Sequence, residues 1–169
     1  MTTSRRVLVV LIVSSFWVPT FAFSSRATPA RNPSQRIRSS TVPNIGIVQN
    51  TEPFDEGGCA LQLPPDYAKH NRLYVFMRDY QSNAVMNING TDVRLKLVSQ
   101  QEPNGDPKVG DRSTYRFSGH QIDATVDLVV THLCDPNDEA CEVIEYDATI
   151  TLTHGTSRRV IKTQGLCGS

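Results

Sequence analysis

The stretch NAVMNINGTDVRLKLV, Asn83 to Val98, decides the fold. Asn89-Gly90 is a strong two-residue hairpin signal, because a type I′ turn needs positive φ at both central positions. With that pair as the turn, Met86 faces Val93 and Ala84 faces Leu95. Ile88 and Leu97 join them on one apolar face, while Asn87, Asp92, Arg94 and Lys96 fall on the other. Turn chemistry and side-chain alternation therefore agree on one register.

The same period of two continues along the chain. Gln121 to Leu133 and Val143 to His154 alternate strictly, with Val126 and Leu128, then Ile150 and Leu152, on the apolar sides. Shorter strands are expected at Gly58–Leu63, Arg72–Arg78, Arg112–Ser118 and Arg158–Gly165. Arg72–Arg78 is apolar on both faces and is expected to lie centrally. Pro64 and Pro65 stop the first strand and lead into a turn or single helical turn near Asp66–His70. Alternation implies antiparallel sheets with one solvated side. The expected class is all-β: a small antiparallel β-barrel or a two-sheet sandwich of about eight strands.

Upstream of this domain the composition changes. Residues 1–22 carry Arg5 and Arg6, a 12-residue uncharged apolar run from Val7 to Val18, Pro19, and the small-residue pattern Thr20-Phe21-Ala22. This layout reads as a secretory signal peptide, and the run is too short to span a bilayer, which takes about 20 residues. Cleavage would remove Trp17, the chain's one tryptophan. Residues 23–52 are rich in Ser, Thr, Pro, Asn and Arg, and read as a disordered basic linker. Residues 53–169 form the β domain, with 11 Lys and Arg against 16 Asp and Glu, a net charge of −5. The overall charge of zero thus combines a basic arm with an acidic domain.

Export makes disulfides permissible, and the four cysteines all lie in the β domain. The expected pairs are Cys134–Cys141, across the tip between the two long strands, and Cys59–Cys167, joining the first strand to the last. A direct rung between Cys134 and Cys141 would set Leu128 opposite Asp147, an apolar face beside a polar one. The tip disulfide must therefore lie within the loop, or a bulge must shift the register. No CxxC pair supports a zinc–thiolate site or a dithiol redox motif.

Chemistry is sparsely signalled. Asp135, Asn137 and Glu139 alternate at the acidic tip and are a candidate calcium set, against a plain solvated tip. Arg158 and Arg159 are a candidate fork for a carboxylate or phosphate, against ordinary edge charge. Asn89-Gly90-Thr91 matches a glycosylation sequon but is already accounted for as a turn. His70, His120, His132 and His154 fall in no HExxH pattern, and no GxSxG elbow accompanies them. The sequence indicates no cofactor and no catalytic set; a carboxylate-based hydrolase is the enzyme alternative.

These features point to an exported binding or inhibitory module, periplasmic or extracellular, whose partner is a protein or envelope polymer. The alternative is an envelope assembly component docking through its basic arm. Arg26, Arg31, Arg36 and Arg38 would then supply contact with a membrane surface or another polyanion. The acidic domain argues against nucleic acid, whose binding is dominated by cationic contacts to phosphate. An enclosed apolar cavity would favour a ligand carrier, and an exposed apolar patch a protein partner.

Overall fold

The structure is a computed structural model and describes residues 42–52, 57–135 and 141–168. The strands are β1 (Ile45–Gly46), β2 (Gly58–Gln62), β3 (Tyr74–Arg78), β4 (Asn83–Ile88), β5 (Thr91–Gln101), β6 (Arg112–Gly119), β7 (Ile122–His132), β8 (Val143–His154) and β9 (Ser157–Gly168). One short helix, α1 (Pro64–Tyr67), follows β2. The order β4-β3-β2-β9-β8-β7-β6-β5 returns to β4 through the β4–β5 pairing, and all pairings are antiparallel. This is an eight-stranded closed barrel with β1 as an extra strand, which eliminates the sandwich alternative. Closure leaves no free barrel edge.

The hairpin takes the expected register, with Met86 opposite Val93 and Ala84 opposite Leu95. Asn89 and Gly90 have φ of 55° and 85°. Both expected disulfides form. Cys59 and Cys167 are direct partners across β2 and β9. The β7–β8 register keeps Leu128 opposite Ala148, and a bulge between Val130 and His132 shifts it near the tip. Cys134 and Cys141 lie beyond the paired strands. The parity conflict is thus resolved by a bulge and by placement in the loop together.

Two strands run further than the sequence pattern suggests. β5 extends past Val98 to Gln101 because a bulge between Leu97 and Ser99 turns Val98 outward, 66% exposed, without ending the ladder. β9 reaches Gly168, so Leu166 and Cys167 belong to it.

The domain also begins earlier than residue 53, a correction to the linker reading. Residues 42–52 lie along the barrel's outside as a strap. Its strand β1 pairs with β4 beyond the end of β3, Ile45 opposite Ile88 and Gly46 opposite Asn87. Val48 N–H donates to the Tyr74 carbonyl, and Asn89 N–H to the Asn44 carbonyl. Val48 is buried against Met77 and Val85. β3 is apolar on both faces for this reason: Phe76 fills the barrel and Met77 meets the strap. In a barrel there is no central strand, so the double-sided pattern marks a covered outer face. Gly46 permits the close approach, since a Cβ there would lie 2.5 Å from Asn87 Oδ1.

The strap's far end is held by Asp92. Its Oδ2 accepts the N–H groups of Gln49 and Asn50, each at 2.9 Å, and its Oδ1 accepts Asn87 Nδ2 at 2.8 Å. Burial works against the charged carboxylate, but these donors outweigh it and hold Asp92 below its ordinary value of 3.8. A depressed value means the contribution is complete above 3.8 and is lost as pH falls through the lower folded value. We expect Asp92→Asn to speed hydrogen exchange at the Gln49 and Asn50 amides at pH 6, with the wild type approaching the variant in strong acid. Equal exchange at pH 6 would show that Asp92 does not hold the strap.

Candidate functional site

Inward-facing residues of all eight barrel strands make one core, which includes Leu61, Phe76, Met86, Leu95, Val126 and Ile150. Phe76 and Phe117 meet edge to face, centroids 5.5 Å apart. One mouth is plugged by Arg78, whose guanidinium lies 4.0 Å from the Tyr115 ring centroid and whose Nε donates to Cys59 Sγ at 3.2 Å. Tyr115 Oη donates to Glu102. Burial, reinforced by that carboxylate, pushes the Tyr115 phenol up to about 12. Tyr146 lies nearby and is also raised, by burial first and by Glu102 and Tyr80, with Arg78 opposing. At the other end, Arg159 Nη1 donates to the Pro43 carbonyl at 3.2 Å. The described core side chains of the eight strands thus pack against one another inside the barrel.

Concavity lies on the outside instead. Two hollows of about 310 and 390 Å³ share Arg72, Tyr74, Val143 and Leu166, and so form one groove across β3, β2, β9 and β8. Its floor includes Ala60, Met77 and Leu166, small or apolar side chains on outward strand positions. Its lip is α1 and the turn after it. Pro64 and Pro65 occupy the first helical turn, where missing N–H donors cost nothing. His70 adopts a left-handed conformation, φ 53°, and ends the turn. Burial first, and then the nearby Glu145 carboxylate, raises the Tyr67 phenol. Gln62 sits at the base of the groove, 7% exposed, and its Nε2 has no hydrogen-bond partner among the described residues. An unsatisfied buried amide of this kind costs about 1–3 kcal/mol. Leu63, Leu73 and Leu166 add exposed apolar surface, at 36, 40 and 37%.

A second hollow of about 510 Å³ lies on the outer face of β6 to β9. Several polar side chains on this face are paired with one another. Thr114 Oγ1 donates to Asp127, Lys162 Nζ to Thr149, and Gln164 Nε2 to Asp147.

The two candidate arginines of the last strand point apart. Arg158 pairs with Thr153 and Arg159 with Leu152, and successive strand residues point to opposite faces. They cannot make a fork: Arg158 is exposed outside and Arg159 closes a barrel end. Asp135 is exposed, whereas Asn137 and Glu139 lie outside the described residues, as do Arg26, Arg31, Arg36 and Arg38. Among the described residues, no three potential metal ligands are grouped closely enough to hold an ion. Asn89 Oδ1 accepts the Asn44 N–H at 2.8 Å, which gives the sequon asparagine a structural task. His132 and His154 stand near opposite ends of the β7–β8 pair. No helix among the described residues is long and apolar enough to cross a membrane.

The groove residues escaped the sequence reading. Leu166 falls beyond the expected end of its strand, and Gln62, Tyr67 and Arg72 read as strand end and turn. Only barrel closure brings β2 beside β9 and so assembles them. No protein-family model, curated protein or solved structure matches the chain.

Proposed function

We propose that this protein is an exported binding module whose outer groove, across β3, β2, β9 and β8, receives a segment of a partner protein. The observation that carries this reading is the contrast between a barrel whose core side chains pack against one another and a continuous partly apolar groove outside it. Export rests on the leader pattern at residues 1–22 and agrees with two formed disulfides. Groove-lining apolar side chains supply burial, and Arg72, which lines both hollows, supplies donors that fix orientation. An inhibitory role is one form of this binding, in which the bound segment belongs to an enzyme.

The test compares captured partners from an extract of the source cell's envelope and medium. The mature chain beginning at Phe23 is immobilised beside a Leu166→Asp variant and a Thr151→Asp control on the polar face. We expect Leu166→Asp to reduce recovery of a defined partner at least tenfold, with the control unchanged. Removal of residues 24–41 separates the arm-docking alternative, because it leaves the strap and Val48 intact. A partner lost on that truncation but indifferent to Leu166→Asp would transfer binding to the arm.

A further inference from the structure

We propose that Cys59–Cys167 is a thiol-exchange site, in which a small thiol attacks Cys167 and Cys59 departs as a thiolate stabilised by Arg78. The two cysteines lie on one rung that runs across four strands, Arg78–Cys59–Cys167–Ile144. Arg78 Nε points at Cys59 Sγ from 3.2 Å, and the Tyr115 ring lies against the guanidinium. The charge is thus presented to one sulfur of the pair. Cys59 is 3% exposed, while Cys167 is only half-buried.

Exchange rates depend on the leaving thiol's acidity, on which sulfur is attacked and on access. The neighbouring charge and the residue exposure distinguish the two cysteines in the same sense here. A neighbouring guanidinium lowers a thiol's pKa and makes it the better leaving group. Of the two residues, Cys167 is the more exposed. In the step, a thiolate R–S⁻ forms a bond to Cys167 Sγ as the Cys59–Cys167 bond breaks. The electron pair of the broken bond stays on Cys59. The products are a mixed disulfide at Cys167 and one thiolate, with no net oxidation.

The seam has a second tie besides the disulfide: β2 and β9 are paired by backbone hydrogen bonds over Gly58–Gln62 against Gln164–Gly168. The tip pair Cys134–Cys141 lies outside the strands that carry Arg78 and serves as an internal control.

The mature chain is treated with reduced glutathione at pH 7, quenched in acid, and mapped by mass after labelling free thiols with N-ethylmaleimide. We expect glutathione on Cys167 and the label on Cys59. Arg78→Gln should slow opening about tenfold and Arg78→Lys should retain most of the rate, while Cys134–Cys141 responds to neither. In a Cys167→Ser variant, which keeps Arg78, Cys59 should ionise below the ~8.5 of a free cysteine. Glutathione found mainly on Cys59, or a Cys59 thiol at or above that value, would overturn the proposal. The second measurement does not depend on any Arg78 variant folding.

Discussion

Removing Cys59–Cys167 should lower stability more than removing Cys134–Cys141, by about 2 kcal/mol. The chain-entropy model gives about 4.7 kcal/mol for a closed loop near 100 residues and about 2.5 for one of seven or eight. The observed separations are 108 and 7. Native strain and residual structure in the unfolded chain reduce both figures, but the ranking survives. Topology supports it as well. The long-range bond lies on the β2–β9 seam, where barrel closure brings the ends of the β domain together. The tip bond constrains only a connection between strands already paired along β7 and β8. Paired Cys→Ala variants, which leave no lone thiol, are the proper comparison. Calorimetry should show a Tm fall on the order of 15 °C for the seam variant, and less than that for the tip variant. A larger fall for the tip variant would mean that the seam is held almost wholly by its backbone ladder.

What the sequence revealed divides by the range of the physics involved. Asn89-Gly90 and its flanking alternation are local, and their register appears in the structure without change. The parity of Leu128 and Asp147 is also local once two strands are taken to pair, and it correctly required a bulge or a loop disulfide. The strap was illegible for a different reason. Its cue, Ile45-Gly46-Ile47-Val48, is a short apolar patch within a polar segment, too small to suggest burial by itself. Its partner, the outward Met77–Val85 patch, comes from a distant hairpin. The two halves explain each other only when both are in place. The groove is hidden in the same way, since Gln62, Arg72 and Leu166 share no sequence pattern and meet only through closure. Arg78 is the last residue of the strand expected at Arg72–Arg78, and nothing local marks which way it points. Alternation actually turns it to the face of Phe76, and so into the barrel mouth beside the disulfide.

Phe76→Ala should be the costliest single core substitution, at about 3–5 kcal/mol. Phe76 is fully buried and Phe117 is 2% exposed, and their rings meet at 62°. Truncating either ring removes its burial and leaves a void that strands fixed in a closed ladder collapse into poorly. A double-mutant cycle with Phe117→Ala should give a coupling of about 0.5–1.5 kcal/mol for the edge-to-face pair. For a domain whose total stability falls within roughly 5–15 kcal/mol, the double variant approaches the unfolding limit. The same substitution tests the functional reading, because it opens a void among the core side chains. An apolar void of this kind stays dry and admits a small apolar molecule. Benzene should therefore raise the Tm of Phe76→Ala and leave that of the wild type unchanged, following the mass-action dependence of ligand stabilisation. If benzene stabilised the wild type to the same degree, the barrel would already contain room for a guest. The interior, rather than the outer groove, would then be the site to pursue. If the wild type gives no response, the site to pursue is the outer groove, where the barrel brings together Gln62 on β2, Leu166 on β9 and Arg72 in the connection between α1 and β3.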